Sequence, residues 1–345
     1  MWDSDEAVDS GWVIRVPLTV AALDVGSNSF HLVVVEASPD GSVRVLERAK
    51  EMVRLGESSL HDGVISPAAF ERGLTALRAL AARARLHRPA AILAVATSAV
   101  REASNGRTFV DAAQRECGLT IRVIDGIEEA RFIYLGARQA LALDEQQAAL
   151  FDVGGGSTEA ILGNEHQALL ASSLKLGVLR LRDHWLRSDP PSPADTALMS
   201  EWVRTVTSPT IARFAASGFD IVALTSGTAL ALARLAGRRL PRAGGIDRYQ
   251  LTLEALRTWE GRLSAMTAAQ RAEVPGLDPG RVDTIVPGAV ILRSILEATG
   301  AEQALVCDAA LREGVIAEYL TRRRSGARPW TMAREQPTAA ASSGS

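Results

Sequence analysis

The sequence predicts an α/β protein of two similar halves with a cleft between them, and three observations lead there. Apolar runs of strand length alternate with segments of helical period, the pattern of sheets covered by helices. The turn Asp24-Val25-Gly26-Ser27-Asn28-Ser29 returns as Asp152-Val153-Gly154-Gly155-Gly156-Ser157, sharing Asp-Val-Gly-x-x-Ser at the same place in the pattern. At 345 residues the chain accommodates two domains of roughly 100 to 200 residues, each with its own core.

The elements follow in order. Val20 to Leu23 is an apolar strand, His31 to Glu36 a second across a tight turn, and Ser42 to Glu47 alternates as a third. Ser66-Pro67 opens a helix in which Phe70, Leu74, Leu77, Leu80 and Ala81 recur at helical spacing. Strand Ile92 to Ala96, helix Phe109 to Cys117, strand Ile121 to Ile124 and helix Glu128 to Leu143 complete the first half. After the polar connector Asp144 to Gln147 the opening pattern repeats, with strands at Ala149 to Asp152, Thr158 to Leu162 and Leu169 to Leu174. A helix at Ala194 to Phe214, a strand at Ile221 to Leu224 and the turn Thr225-Ser226-Gly227-Thr228 come next. Helices around Leu253 to Leu263, Val286 to Glu297 and Ala309 to Arg322 close the pattern.

Composition narrows the function. With 47% hydrophobic and 23% charged residues and a net charge of -2, the chain reads as globular and soluble rather than disordered or fibrous. No apolar run approaches the roughly 20 residues of a membrane span. The acidic start, Asp3, Asp5, Glu6 and Asp9, is the reverse of a signal peptide, so a cytoplasmic location is expected, without membrane or nucleic-acid partners. Cys117 and Cys307 are the 2 cysteines, too few for a disulfide framework or a thiolate metal site; both are expected in the core. The basic clusters Arg234, Arg238, Arg239, Arg242 and Arg322, Arg323, Arg324, Arg328 read first as solvated faces. His31 and His184 stand without a second histidine at metal spacing and receive no role.

Each repeated turn sets a carboxylate at the end of a buried strand, followed by glycines and a serine. Glycine lets backbone approach a phosphate, and consecutive N–H groups make an anion-binding nest. The aspartate suits Mg2+, which keeps several waters and takes one or two carboxylates plus substrate phosphates. Glu159 adds a second carboxylate beside Asp152. Two such turns face to face would grip one phosphate chain. The run is neither of the commoner nucleotide motifs: Glu159 replaces the third glycine of G-x-G-x-x-G, and no Lys-Ser/Thr pair follows. Glu128 and Glu129 open a helix, where acidic residues complement the dipole; a phosphohydrolase also needs a base that positions water, and either use fits there. Thr97-Ser98-Ala99-Val100-Arg101 offers hydroxyls and a guanidinium at the end of another buried strand.

Together these segments resemble the exopolyphosphatase and guanosine-pentaphosphate phosphohydrolase (Ppx/GppA) family, of the sugar kinase, Hsp70 and actin fold, also called RNase H-like. The resemblance runs through Leu23 to Leu32, Ala96 to Arg101, Gly126 to Arg131, Phe151 to Glu159, Leu174 to Gly177, Thr225 to Thr228 and Asp308 to Gly314. It implies Glu129 as catalytic base, Arg101 on the departing phosphate, and Asp152 and Glu159 on Mg2+, with Mn2+ as an alternative. Asp24, Ser27 and Asn28 would form the first phosphate loop, Gly154, Gly155, Gly156 and Ser157 the second, with Arg281 as a further basic residue lining the cleft. The implied domains are 19–136, with the first loop and the glutamate, and 137–323, with the glycine-rich loop. The last helix, about 309–323, is able to pack back on the first domain, and 1–18 and 324–345 are disordered tails. The implied assembly is a homodimer.

The expected activity is release of terminal phosphate from inorganic polyphosphate. The alternatives are hydrolysis of pppGpp to ppGpp and a non-hydrolytic nucleotide switch of the actin and Hsp70 type. Leu224 and Lys175 depart from residues common in the family, Gly and Pro. The C-terminal helical domains of long members do not follow Gly314, so the chain is expected to prefer shorter polymers; equal or better activity on the longest ones would refute this.

Overall fold

A computed structural model describes residues 17–243 and 246–325. Two mixed sheets carry the fold. The first joins β1 (Leu18–Val25), β2 (Ser29–Ala37), β3 (Val43–Met52), β4 (Ala91–Ala96) and β5 (Ile121–Val123) in the order β3-β2-β1-β4-β5. The second joins β6 (Ala148–Val153), β7 (Thr158–Gly163), β8 (Ala168–Leu174), β9 (Ile221–Thr225), β10 (Arg238–Ala243), β11 (Ile246–Thr252) and β12 (Gln303–Cys307) in the order β10-β11-β12-β9-β6-β7-β8. Central strands covered on both faces read as unbroken apolar runs, and Val20 to Leu23 and Ala149 to Phe151 are fully buried in this way.

The repeat seen in the sequence is a repeat of architecture. β1, β2 and β3 form an antiparallel meander with β4 parallel to β1; β6, β7 and β8 do the same with β9 parallel to β6. The registers also match, placing Asp24 opposite His31 and Asp152 opposite Glu159.

Two hydrophobic cores lie one in each half, and a third joins them. The third gathers Val20 and Val33 of the first sheet, Leu150 and Ile161 of the second, and Ile133 and Ile316 from two helices. Those helices, Gly126–Leu141 and Leu311–Arg324, cross closely enough that a Cβ on Gly136 would collide with the Ala310 carbonyl, and one on Gly314 with that of Phe132. Ser66 caps the helix Pro67–Leu86 by accepting from the Ala69 amide, as the Ser-Pro start suggested.

Several elements carried no readable period. The helices Gly56–Asp62, Ser98–Glu102 and Ala268–Ala272 are too short to show a face, and β10, with Pro241, is a polar edge strand. The helices Val178–Trp185 and Gly227–Ala236 and the strands β11 and β12 are further elements beyond those the sequence pattern predicts. The expected disordered tails fall outside the described residues, save that Leu18 opens β1 and Arg324 ends the last helix. Among the described residues no helix is long and apolar enough to cross a membrane. Cys117 and Cys307 are buried and free.

Candidate active site

The parallel strands β1, β4, β6, β9 and β12 all end at one cleft of about 510 Å³ between the sheets. Ligands of open α/β sheets bind beyond such carboxyl ends. Asp24, Ser27 and Asn28 line it from the first turn, and Asp152, Gly154, Gly155 and Ser157 from the second. The turns touch: a Cβ on Gly155 would lie 3.0 Å from Ser27 Cβ and 3.2 Å from the Asn28 nitrogen, so glycine there permits the approach. Ser27 Oγ lies 2.8 Å from Ser98 Oγ, which ties the first turn to the end of β4.

Four carboxylates converge. Asp152 accepts from Thr225 Oγ1 at 2.7 Å and Glu159 from Ser173 Oγ at 2.8 Å, each partner being a cross-strand neighbour in the register. Asp24 Oδ1 is buried with no hydrogen-bond partner. Desolvation pushes Asp24 up to about 7, with the charge of Asp152 adding to it and that of Arg312 opposing it. Desolvation likewise raises Asp152 to about 6, against the Thr225 hydrogen bond, and Glu159 to about 7, with the charge of Asp152 contributing.

Glu128 and Glu129 differ sharply. Asp125 caps the helix Gly126–Leu141, accepting from the amides of Ile127 and Glu128, and Glu128 pairs outward with Arg122. Glu129 turns inward onto the cleft, 6% exposed, and burial followed by the charge of Glu159 holds its carboxyl well above the usual range. Dipole complementation is thus met by its neighbours, and Glu129 is left for the cleft.

Arg281 also lines the cleft; its guanidinium lies where any Cβ on Gly227 would be. Arg101 and Gly156 are near but not on the wall. Arg101 Nη1 donates to the Ile124 carbonyl at 2.7 Å and to Glu129 Oε2 at 3.1 Å, so the guanidinium stands beside the glutamate. Gly156 packs against Ser98 and Leu60.

Sequence reasoning missed much of the basic wall: Arg48, Lys50 and Arg312 line the cleft. Arg48 and Lys50 stand two apart in β3, hence on one face, and Lys50 lies opposite His31; that alternation was the available signal. Of the cluster read as a solvated face, Arg234 lines the cleft, whereas Arg239 and Arg242 pair with Asp247. His31 faces the cleft too, 2.7 Å from Ser29 Oγ, and burial with the nearby cations drives its pKa well below the usual value.

The donors suit a hard divalent cation held partly by substrate. Among the described residues no three His, Cys, Asp or Glu side chains form a cage of their own. Mg2+ does not require one, since one or two carboxylates, phosphate oxygens and water suffice. The unpartnered Asp24 oxygen and the mutually repelling carboxylates fit such an ion.

The family model for the Ppx/GppA phosphatase family matches residues 34–323. The chain belongs to that family. Among relatives of this Ppx/GppA protein, exopolyphosphatase 1 of Mycobacterium leprae is 32% identical over 310 residues, 90% of this chain and 91% of that one. A guanosine-5'-triphosphate,3'-diphosphate pyrophosphatase of Pseudoalteromonas translucida is also 32% identical over 300 residues, 87% of this chain and 59% of that one. The crystal structure of an exopolyphosphatase from Cytophaga hutchinsonii matches with a TM-score of 0.81 and 26% identity, covering 90% of this chain and 99% of that chain. The Aquifex aeolicus family member shares the fold at a TM-score of 0.73. The architecture is accordingly the actin-like one, and the chain is a Ppx/GppA family hydrolase.

Proposed function

We propose that this hydrolase is an exopolyphosphatase that releases the terminal phosphate of inorganic polyphosphate with a divalent metal, Mg2+ or Mn2+. The observation that carries the reading is the inward-facing Glu129, buried and lining one cleft with the two glycine turns. The terminal phosphoryl group would rest on the N–H groups of Gly155 and Gly156 and on Ser27 and Asn28, the orientation that in-line attack requires. Glu129 would accept the proton of the attacking water; desolvation and the charge of Glu159 raise its proton affinity, which strengthens it as a base. Arg101 would hold the Glu129 carboxylate in place and Arg281 would neutralise the departing chain. Asp152 and Glu159, with Asp24 beside them, would hold the metal, which supplies neutralisation of phosphoryl charge.

A second reading, removal of the 5'-terminal phosphate of pppGpp, is supported by the Pseudoalteromonas relative and by a cleft whose polar groups suit phosphates of either substrate. The experiment is orthophosphate release from long-chain polyphosphate with Mg2+, with an EDTA control and pppGpp in parallel. Metal-dependent release from polyphosphate is expected. Cleavage of pppGpp alone would transfer the assignment to the second reading, and no release from either substrate would defeat both.

A further inference from the structure

Three consecutive carbonyls of the glycine-rich loop are engaged from behind. The Val178 amide donates to Gly154 O at 3.1 Å and the Leu179 amide to Gly155 O at 2.9 Å. The third donor is a side chain: Arg180 Nε donates to Gly156 O at 2.6 Å. Holding these carbonyls on one side leaves the N–H groups of Gly155 and Gly156, which have no protein acceptor among the described residues, available to a phosphate.

The rest of the same guanidinium crosses to the other half of the molecule. Its Nη1 donates to the Leu60 carbonyl at 3.1 Å, and its Nη2 lies 2.6 and 2.7 Å from the two oxygens of Glu102. Leu60 belongs to the helix Gly56–Asp62, and Glu102 ends the helix Ser98–Glu102 that also carries Ser98, the partner of Ser27 in the first phosphate loop. The pair is shielded, its side chains 19% and 23% exposed, and a charge-assisted guanidinium–carboxylate contact is strong and directional. Lys175 stands 3.7 Å from Glu102 but is 81% exposed and lacks the planar fork.

We propose that Arg180 is a positioning residue of the reaction, tying the glycine-rich phosphate loop to the first half of the molecule so that both phosphate loops keep one spacing. It acts through Gly156 and Glu102, and neither Arg180 nor Glu102 lines the cleft. Truncating either therefore removes no contact to substrate. The proposal rests on the hydrolase reading above.

The test compares steady-state polyphosphate hydrolysis by the full chain with Arg180→Met, Arg180→Lys, Glu102→Ala and the double variant Arg180→Met/Glu102→Ala, each checked for a cooperative thermal transition. Misplacing reacting groups by about 1 Å costs up to about 100-fold. The expected result is a kcat lower by about tenfold or more in both Arg180 variants and several-fold in Glu102→Ala, with KM nearly unchanged. The double variant should be no slower than Arg180→Met, because both changes break one connection. If Arg180→Met does not fold, Glu102→Gln and Glu102→Ala carry the comparison. Spin labels at Arg115→Cys and Arg213→Cys, one in each half, should show a broader distance distribution in Glu102→Ala and Arg180→Met. Rates within twofold of the parent in the single variants, losses that multiply in the double, or unchanged distances would overturn the proposal. A parent inactive on both polyphosphate and pppGpp would instead overturn the hydrolase reading, and the distances would still judge the connection through Arg180 and Glu102.

Discussion

At the scale of the residue, identity matters less than what surrounds it. Glu128 and Glu129 are adjacent and chemically alike, yet one pairs with Arg122 at the surface and the other is desolvated beside Arg101. Replacing Glu129 by Gln should leave the fold and polyphosphate binding intact and lower kcat by about 10²- to 10⁴-fold, the usual contribution of a general base; phosphate release under saturating substrate measures it. The neighbouring carboxylates give a pH signature. Asp24, Asp152 and Glu159 have their pKa values raised to about 7, 6 and 7, above their ordinary values in an unfolded chain. The folded state therefore holds extra protons, and the stability they contribute is present below about pH 4 and lost as pH rises through about 6 to 7. In EDTA the contribution of these groups to Tm should fall over that interval. Asp24→Asn should flatten the fall, which thermal unfolding at stepped pH would check.

At the scale of the element, register does the assembling. Each hairpin turns so that its strand-end aspartate meets the residue seven positions on, His31 in one copy and Glu159 in the other. The copies differ at that position, with the half-buried imidazole of His31 in one and the buried carboxyl group of Glu159 in the other. The helix carrying Glu129 is held by close backbone approach to the last helix at Gly136 and Gly314. Gly314→Ala would force the two apart, and overpacking of this kind costs about 1–3 kcal/mol. The prediction is a lower denaturant midpoint together with reduced kcat, since Glu129 moves with its helix; a midpoint equal to the parent's would contradict it.

At the scale of the whole molecule, the net charge of -2 conceals a row of cations that shares the cleft with the carboxyl groups. Arg48, Lys50, Arg234, Arg281 and Arg312 come from widely separated segments to line one cleft, and charge gathered on low-dielectric walls focuses the field on an anionic chain. Polyphosphate KM should rise as ionic strength is raised through the range in which the Debye length shrinks below about 10 Å. Lys50→Gln should raise KM by about three- to tenfold with kcat little changed, as expected for a contact made equally in ground and transition states. A KM insensitive to both salt and Lys50→Gln would show that the cationic wall does not contact substrate.

Local sequence by itself determined the alternating architecture, the duplicated Asp-Val-Gly turns and the family, because buried strands and glycine turns leave marks within a few neighbouring residues. It also contained the short spacings that bring Asp24 to His31 and Asp152 to Glu159. The family resemblance singles out Glu129 of the adjacent pair, but tertiary structure alone supplied the reason it turns inward, why Arg101 stands behind it rather than on the wall, and which arginines line the cleft. It alone joined Arg180 to Gly156, Leu60 and Glu102. The physical reason is distance along the chain: periodicity reports the face of a single element, whereas desolvation and charge pairing depend on elements as far apart in sequence as Lys50 and Arg312, which meet only when two sheets close on one core.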